Sequence, residues 1–137
     1  LWWFRWGAMF TLISGLGMIE LMRRQGQPMS GPYMTLILTG GLMGTLMWFN
    51  VWFIIWPAQQ KIVRGERDGK PADPALPKRA LMASRLNAYL SGPMLFGMLA
   101  ATHYGGVNLV TALVAMVLGA AVIWHFIGIS PKVGTSI

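Results

Sequence analysis

The sequence predicts an all-α fold: a polytopic integral membrane protein of four transmembrane helices joined by short loops, forming one membrane domain over residues 1–137. Three observations predict it. The 137 residues are 55% hydrophobic and only 11% charged, far from soluble-domain averages, and a core of this size could not hide so much apolar surface. The apolar residues fall into four runs, each long enough at 1.5 Å per residue to cross a hydrocarbon layer about 30 Å thick. Six of the eleven Lys and Arg residues lie together between Trp56 and Ala80, in a stretch broken by Pro71, Pro74 and Pro77. Such a charge asymmetry orients membrane chains.

The first run predicts a helix over Trp2–Leu21. Glu20 and Arg24 at its end have the i, i+4 spacing of a local ion pair, and Gln25–Pro32 reads as a short turn rich in Gly and Pro. The second helix covers Tyr33–Trp56, with Gly40 and Gly44 spaced to let helix backbones approach closely in lipid. Residues 57–79 form the basic, proline-rich loop. The third helix, Ala80–Tyr104, contains Gly92 and Pro93, and a proline there frees a carbonyl and kinks the helix. The fourth, Val107–Ile129, repeats the small-residue spacing at Ala115 and Gly119. The tail after it carries Lys132. The chain opens on Leu1 rather than Met, so the expectation is a processed chain or a piece of a longer one.

Placing the basic loop in the cytoplasm puts both ends of the chain there and leaves Arg23 and Arg24 on the opposite side. The expected location is the bacterial inner membrane, with the lipid bilayer and other membrane subunits as partners. Trp2, Trp3, Trp6, Trp48, Trp52, Trp56 and Trp124 then share one leaflet. They read as interfacial anchors, with a wall for a pigment or quinone ring as the alternative. Arg5, Asn50, Arg85 and Asn87 lie at the same end as a polar cluster. Polar groups inside a membrane are costly and face a bundle interior or a wet cavity. Two readings follow: a pocket for an anionic group such as a lipid phosphate, a haem propionate or an anionic substrate, or snorkelling arginines beside asparagines that bond helices together.

With no cysteine, disulfides, thiolate metal sites and covalent haem attachment are excluded. The net charge of +7 is concentrated in one loop without interleaved aromatics, so nucleic acid is not an expected partner. His103 and His125 sit near opposite ends of antiparallel helices, on the order of 25 Å apart, and cannot clamp one iron. A haem or chlorophyll contact through His125, or less readily His103, stays open, but no cofactor is expected from this chain alone. Four acidic residues leave general acid–base chemistry little to work with.

WFRWGAMFTLISG (Trp3–Gly15), NVWFIIWPAQQKIV (Asn50–Val63), Pro71–Tyr104 and WHF (Trp124–Phe126) resemble the later part of the membrane domain of the bacterial urate oxidase N-terminal family. The resemblance implies a polytopic domain, often fused to a cytochrome c domain, that oxidises urate and passes electrons onward. Polar positions matching that pattern are Arg5, Asn50, Gln59, Lys61, Arg85, Asn87, His103 and His125. Three departures stand out: Gly7 where the family has Glu, Leu86 where it has His, and Ala58 where it has Asn.

Each departure removes a titratable or hydrogen-bonding group and keeps the helical scaffold. The expected function is therefore a non-catalytic accessory or scaffold subunit of a larger bioenergetic complex, respiratory or photosynthetic. The alternatives are a membrane redox domain that oxidises urate or a similar small molecule and passes electrons to a cytochrome c, and a lipid- or pigment-binding membrane protein.

Overall fold

A computed structural model of the chain describes residues 2–70, 72–103 and 108–132. Every regular element among them is helical: α1 (Trp2–Arg24), α2 (Pro32–Phe49), a π-helical segment (Asn50–Ile55), α3 (Trp56–Arg67), α4 (Ala75–His103), α5 (Leu109–Ile129) and a closing 3₁₀ turn (Ser130–Lys132). The expected helix ends at Tyr104 and Val107, and Pro71 of the basic loop, lie outside the described residues.

Caps explain most boundaries. After α1, Gly26 adopts φ +76°, and the Gln27 N–H donates to the Met22 carbonyl at 3.1 Å. A side chain would disfavour this left-handed ending. Gly69, at φ +66°, ends α3 similarly, with Lys70 N–H bonded to the Gly65 carbonyl at 2.9 Å. Asn108 caps α5 by accepting from the Thr111 N–H at 2.8 Å.

The basic loop expected over 57–79 is much shorter. Helix continues without a break from Pro32 to Arg67, and α4 starts at Ala75. Proline misled the sequence reading at both ends. Pro57 follows directly on the π-helical turn, where Trp56 N–H bonds the Val51 carbonyl. A wider turn suits a residue that has no N–H and whose ring crowds the carbonyl one α-turn earlier. Pro77 lies in the first turn of α4, where the missing N–H would have no partner in any case. Asp73 caps that turn by accepting from the Ala75 N–H at 2.9 Å. Pro93 likewise sits inside α4 without ending it.

Two helical stretches are long and apolar enough to cross a membrane, Pro32–Arg67 and Leu109–Ile129. By that measure the expected four spans reduce to two. α1 and α4 have the length, at 23 and 29 residues, but α1 carries Arg5, Glu20, Arg23 and Arg24, and α4 carries Lys78, Arg79 and Arg85.

The chain divides into two compact units, Leu1–Gln27 with Gly44–Asn87, and Pro28–Met43 with Ala88–Ile137. In the first, Val51, Ile55 and Ala83 form a buried cluster against which Ala8, Trp52 and Ile54 pack. In the second, Leu36, Ala100, Ala101 and Ala112 are buried together, with Ile37, Phe96 and Met116 against them.

Small residues set the packing of the second unit. A Cβ on Gly92 would come within 2.8 Å of the Gly119 carbonyl oxygen, and one on Gly97 within 3.1 Å of the Leu36 oxygen. Gly40 faces the same approach, its Cβ position 3.0 Å from Met98 Cγ and 3.1 Å from the Met94 oxygen. Where lipid is as apolar as leucine, such close backbone contact drives association. Gly92 opposite Gly119, and Ala100 and Ala101 beside Ala112, make α4 and α5 antiparallel.

Candidate functional site

The first unit holds the polar residues of interest. Asn50 opens the π-helical segment and is the one buried polar residue among those described. Its Nδ2 donates to Asn87 Oδ1 at 2.7 Å, and Asn87 Nδ2 donates to the Met47 carbonyl at 3.1 Å. The α-helix before Asn50 supplies that carbonyl, so two amides tie α2 to α4 at one level. π-Helical turns often occur at functional positions because they re-aim a side chain and loosen the carbonyl ladder.

Arg5 occupies a different setting. Its guanidinium carbon lies 4.3 Å from the Trp56 ring centroid, 4.6 Å from Trp52 and 5.5 Å from Trp6. The Trp6 and Trp52 rings meet edge to face at 5.7 Å, and Trp48 leans on Trp52 at 6.3 Å. The 48, 52, 56 stripe thus turns toward α1 and, with Trp6, boxes the cation. Each cation–π contact is worth roughly 0.5–2 kcal/mol according to its desolvation.

The same box contains every buried side-chain polar atom without a hydrogen-bond partner among the described residues: Arg5 Nε and the indole nitrogens of Trp6, Trp48 and Trp52. All four are N–H donors. An unsatisfied buried donor costs on the order of 1–3 kcal/mol, so the cluster is short of acceptors. These three indole nitrogens are buried without a partner, whereas an interfacial anchor points its N–H at water or headgroups. Trp2, Trp3 and Trp124 are exposed.

Arg85 does not join Arg5. It is exposed and lies two residues before Asn87, about 200° around the α4 axis, on the opposite face. Asn50 and Asn87 are brought together; Arg5 is held by rings. His103 ends α4 and His125 lies six residues beyond Gly119 on antiparallel α5. Both are exposed and stand about 25 Å apart along the pair, so they do not share a site. Among the described residues no three His, Asp or Glu side chains gather as a metal site would require.

Sequence reasoning missed the Arg5–Trp box, the Met47 carbonyl and the role of Gly92 and Gly97 as the partners of Gly119 and Gly40. The spacing of Trp48, Trp52 and Trp56 was the available signal for the box. Gly40, Ala115 and Gly119 were legible as packing positions, and Gly119 does meet α4.

These features define an all-helical protein with two helical stretches long and apolar enough to cross a membrane, tied by an interhelical amide pair and carrying a cation held in an aromatic box. Residues 27–134 match the family described as urate oxidase N-terminal, and the chain belongs to that family. The matched stretch includes Asn50, Trp52, Trp56 and Asn87; α1, with Arg5 and Trp6, precedes it. No curated protein and no solved structure compared with the chain matches it.

Proposed function

We propose that this chain is a four-span subunit of the bacterial inner membrane, non-catalytic, acting as a scaffold within a larger electron-transfer complex. One observation carries the reading: two of the polar positions it shares with the family pattern, Asn50 and Asn87, are used to hold helices together. Asn50 and Asn87 bond each other and the Met47 carbonyl, an arrangement that stabilises packing and leaves no titratable side chain in that pair. The outward faces of α1 and α5 are apolar, with Phe4, Phe10, Ile13 and Leu16 exposed on one and Leu113, Val117 and Leu118 on the other. Such faces suit lipid and neighbouring helices. α1 and α4 cross as well in this reading, their charges lying near the ends where long side chains reach headgroups.

Family membership favours a second reading, a redox domain that oxidises urate or a similar small molecule and passes electrons to a cytochrome c. Extraction in mild detergent followed by optical spectra, oxidised and dithionite-reduced, separates the two. The scaffold reading expects stoichiometric co-purifying subunits and a spectrum unchanged by His125→Ala. Urate-dependent reduction of a band that disappears in a folded His125→Ala preparation would overturn it.

A further inference from the structure

Arg5 is a half-buried cation with no anionic partner among the described residues. Glu20 is taken by Arg23 and Arg24, Asp68 by Arg67, Asp73 caps α4, and Glu66 is exposed near the end of α3. Three indole rings surround its guanidinium, and the unpaired atoms of the cluster are all donors. What the box lacks is an anionic acceptor. A planar guanidinium with its faces on aromatic rings keeps its edge for oxyanions, and phosphate is the geometry it fits well.

Depth selects the source of that phosphate. Arg5 lies in the first turns of α1, and Trp56 stands where the apolar run of α2 and the π-helical segment gives way to Gln59, Gln60, Lys61 and Arg64. Exposed Trp2 and Trp3 ring the same end. An apolar-to-basic transition flanked by exposed tryptophans marks the headgroup level of a bilayer. We infer that the Arg5–Trp6–Trp52–Trp56 box holds the phosphate of an anionic membrane lipid. The inference rests on the membrane reading above and extends it to a specific lipid site.

The full chain would be reconstituted into nanodiscs of phosphatidylcholine with a minor share of phosphatidylglycerol. Retained lipids are then counted by native mass spectrometry, and tryptophan emission is followed as phosphatidylglycerol is raised. Wild type should retain phosphatidylglycerol in preference to phosphatidylcholine and shift its emission saturably. Arg5→Gln should weaken that preference about tenfold, while Arg5→Lys, which keeps charge but not the planar stack, should fall between. Equal retention of the two lipids by wild type overturns the site, whether or not Arg5→Gln folds. So does an unchanged preference in a folded Arg5→Gln chain. Displacement by millimolar inorganic phosphate would overturn the lipid assignment in favour of the free ion. A chain that stays soluble without detergent and does not enter nanodiscs would instead sink the membrane reading beneath it.

Discussion

Asn50 donates to Asn87 across 2.7 Å, joining the first residue of the π-helical segment to the middle of α4. Each amide depends on the other. Replacing Asn87 with Leu strands the Asn50 amide in a buried position, and the expected loss is about 1–3 kcal/mol. The double variant Asn50→Leu/Asn87→Leu should be less destabilised than the sum of the singles, with a coupling on the order of 1 kcal/mol. Reversible unfolding in mixed micelles measures the cycle; strictly additive single effects would show that the pair contributes nothing as a pair.

Gly92 and Gly119 make the tightest helix approach in the second unit. Since the obstacle to a methyl on Gly92 is the Gly119 backbone, the helices must separate rather than a side chain rotate. Gly92→Ala should cost about 1–3 kcal/mol. Gly17, on α1, has nothing within 4 Å of its Cβ position, so Gly17→Ala should be neutral or gain up to about 1 kcal/mol from helix propensity. Melting followed by size-exclusion chromatography in detergent reads both, and equal effects would refute the packing argument.

How much of this was open to sequence reasoning depends on whether the determinant is local. The helicity of the four runs, the Glu20–Arg24 pair and the packing position at Gly119 follow from spacing along one helix and are present, and two of the helical stretches are long and apolar enough to cross a membrane. Asn50 and Asn87 were legible as neighbours because both sit in costly apolar surroundings. Arg85 was grouped with them by depth alone, and depth says nothing about which face of α4 a residue occupies. The loop over 57–79 was drawn too long because Pro57 and Pro77 read as breakers, although a π-helical turn admits the first and a helix N-terminus the second. For the Arg5 box the Trp48, Trp52 and Trp56 spacing signalled one wall, but its closure depends on how α1 approaches that stripe, a long-range relation with no periodic signature.

Glu20 accepts from Arg23 at 2.7 Å and from Arg24 at 2.8 Å, so the expected i, i+4 pair is joined by an i, i+3 partner. Good geometry does not make it strong, since all three side chains are exposed and water and salt screen them. Glu20→Gln should leave the melting temperature within error of wild type at moderate ionic strength. A clear drop would mean that this end of α1 is covered in the assembled protein.

Topology gives the sharpest test of the membrane reading, because the chain has no cysteine and each introduced one reports alone. The helix from Pro32 to Arg67 carries Lys61, Arg64 and Arg67 beyond Trp56, and Lys70, Lys78 and Arg79 follow. These charges stay close together along the chain even though the loop is shorter than expected. Arg23 and Arg24 lie at the other end of α1, before the turn at Gln25–Gly31. Positive residues resist translocation, so the membrane reading expects the first group in the cytoplasm and the second outside. In intact spheroplasts a membrane-impermeant maleimide should label Gln27→Cys and spare Lys70→Cys, and lysis should expose the latter. Labelling of both before lysis would refute the crossing of Pro32–Arg67, and the reverse pattern would invert the chain.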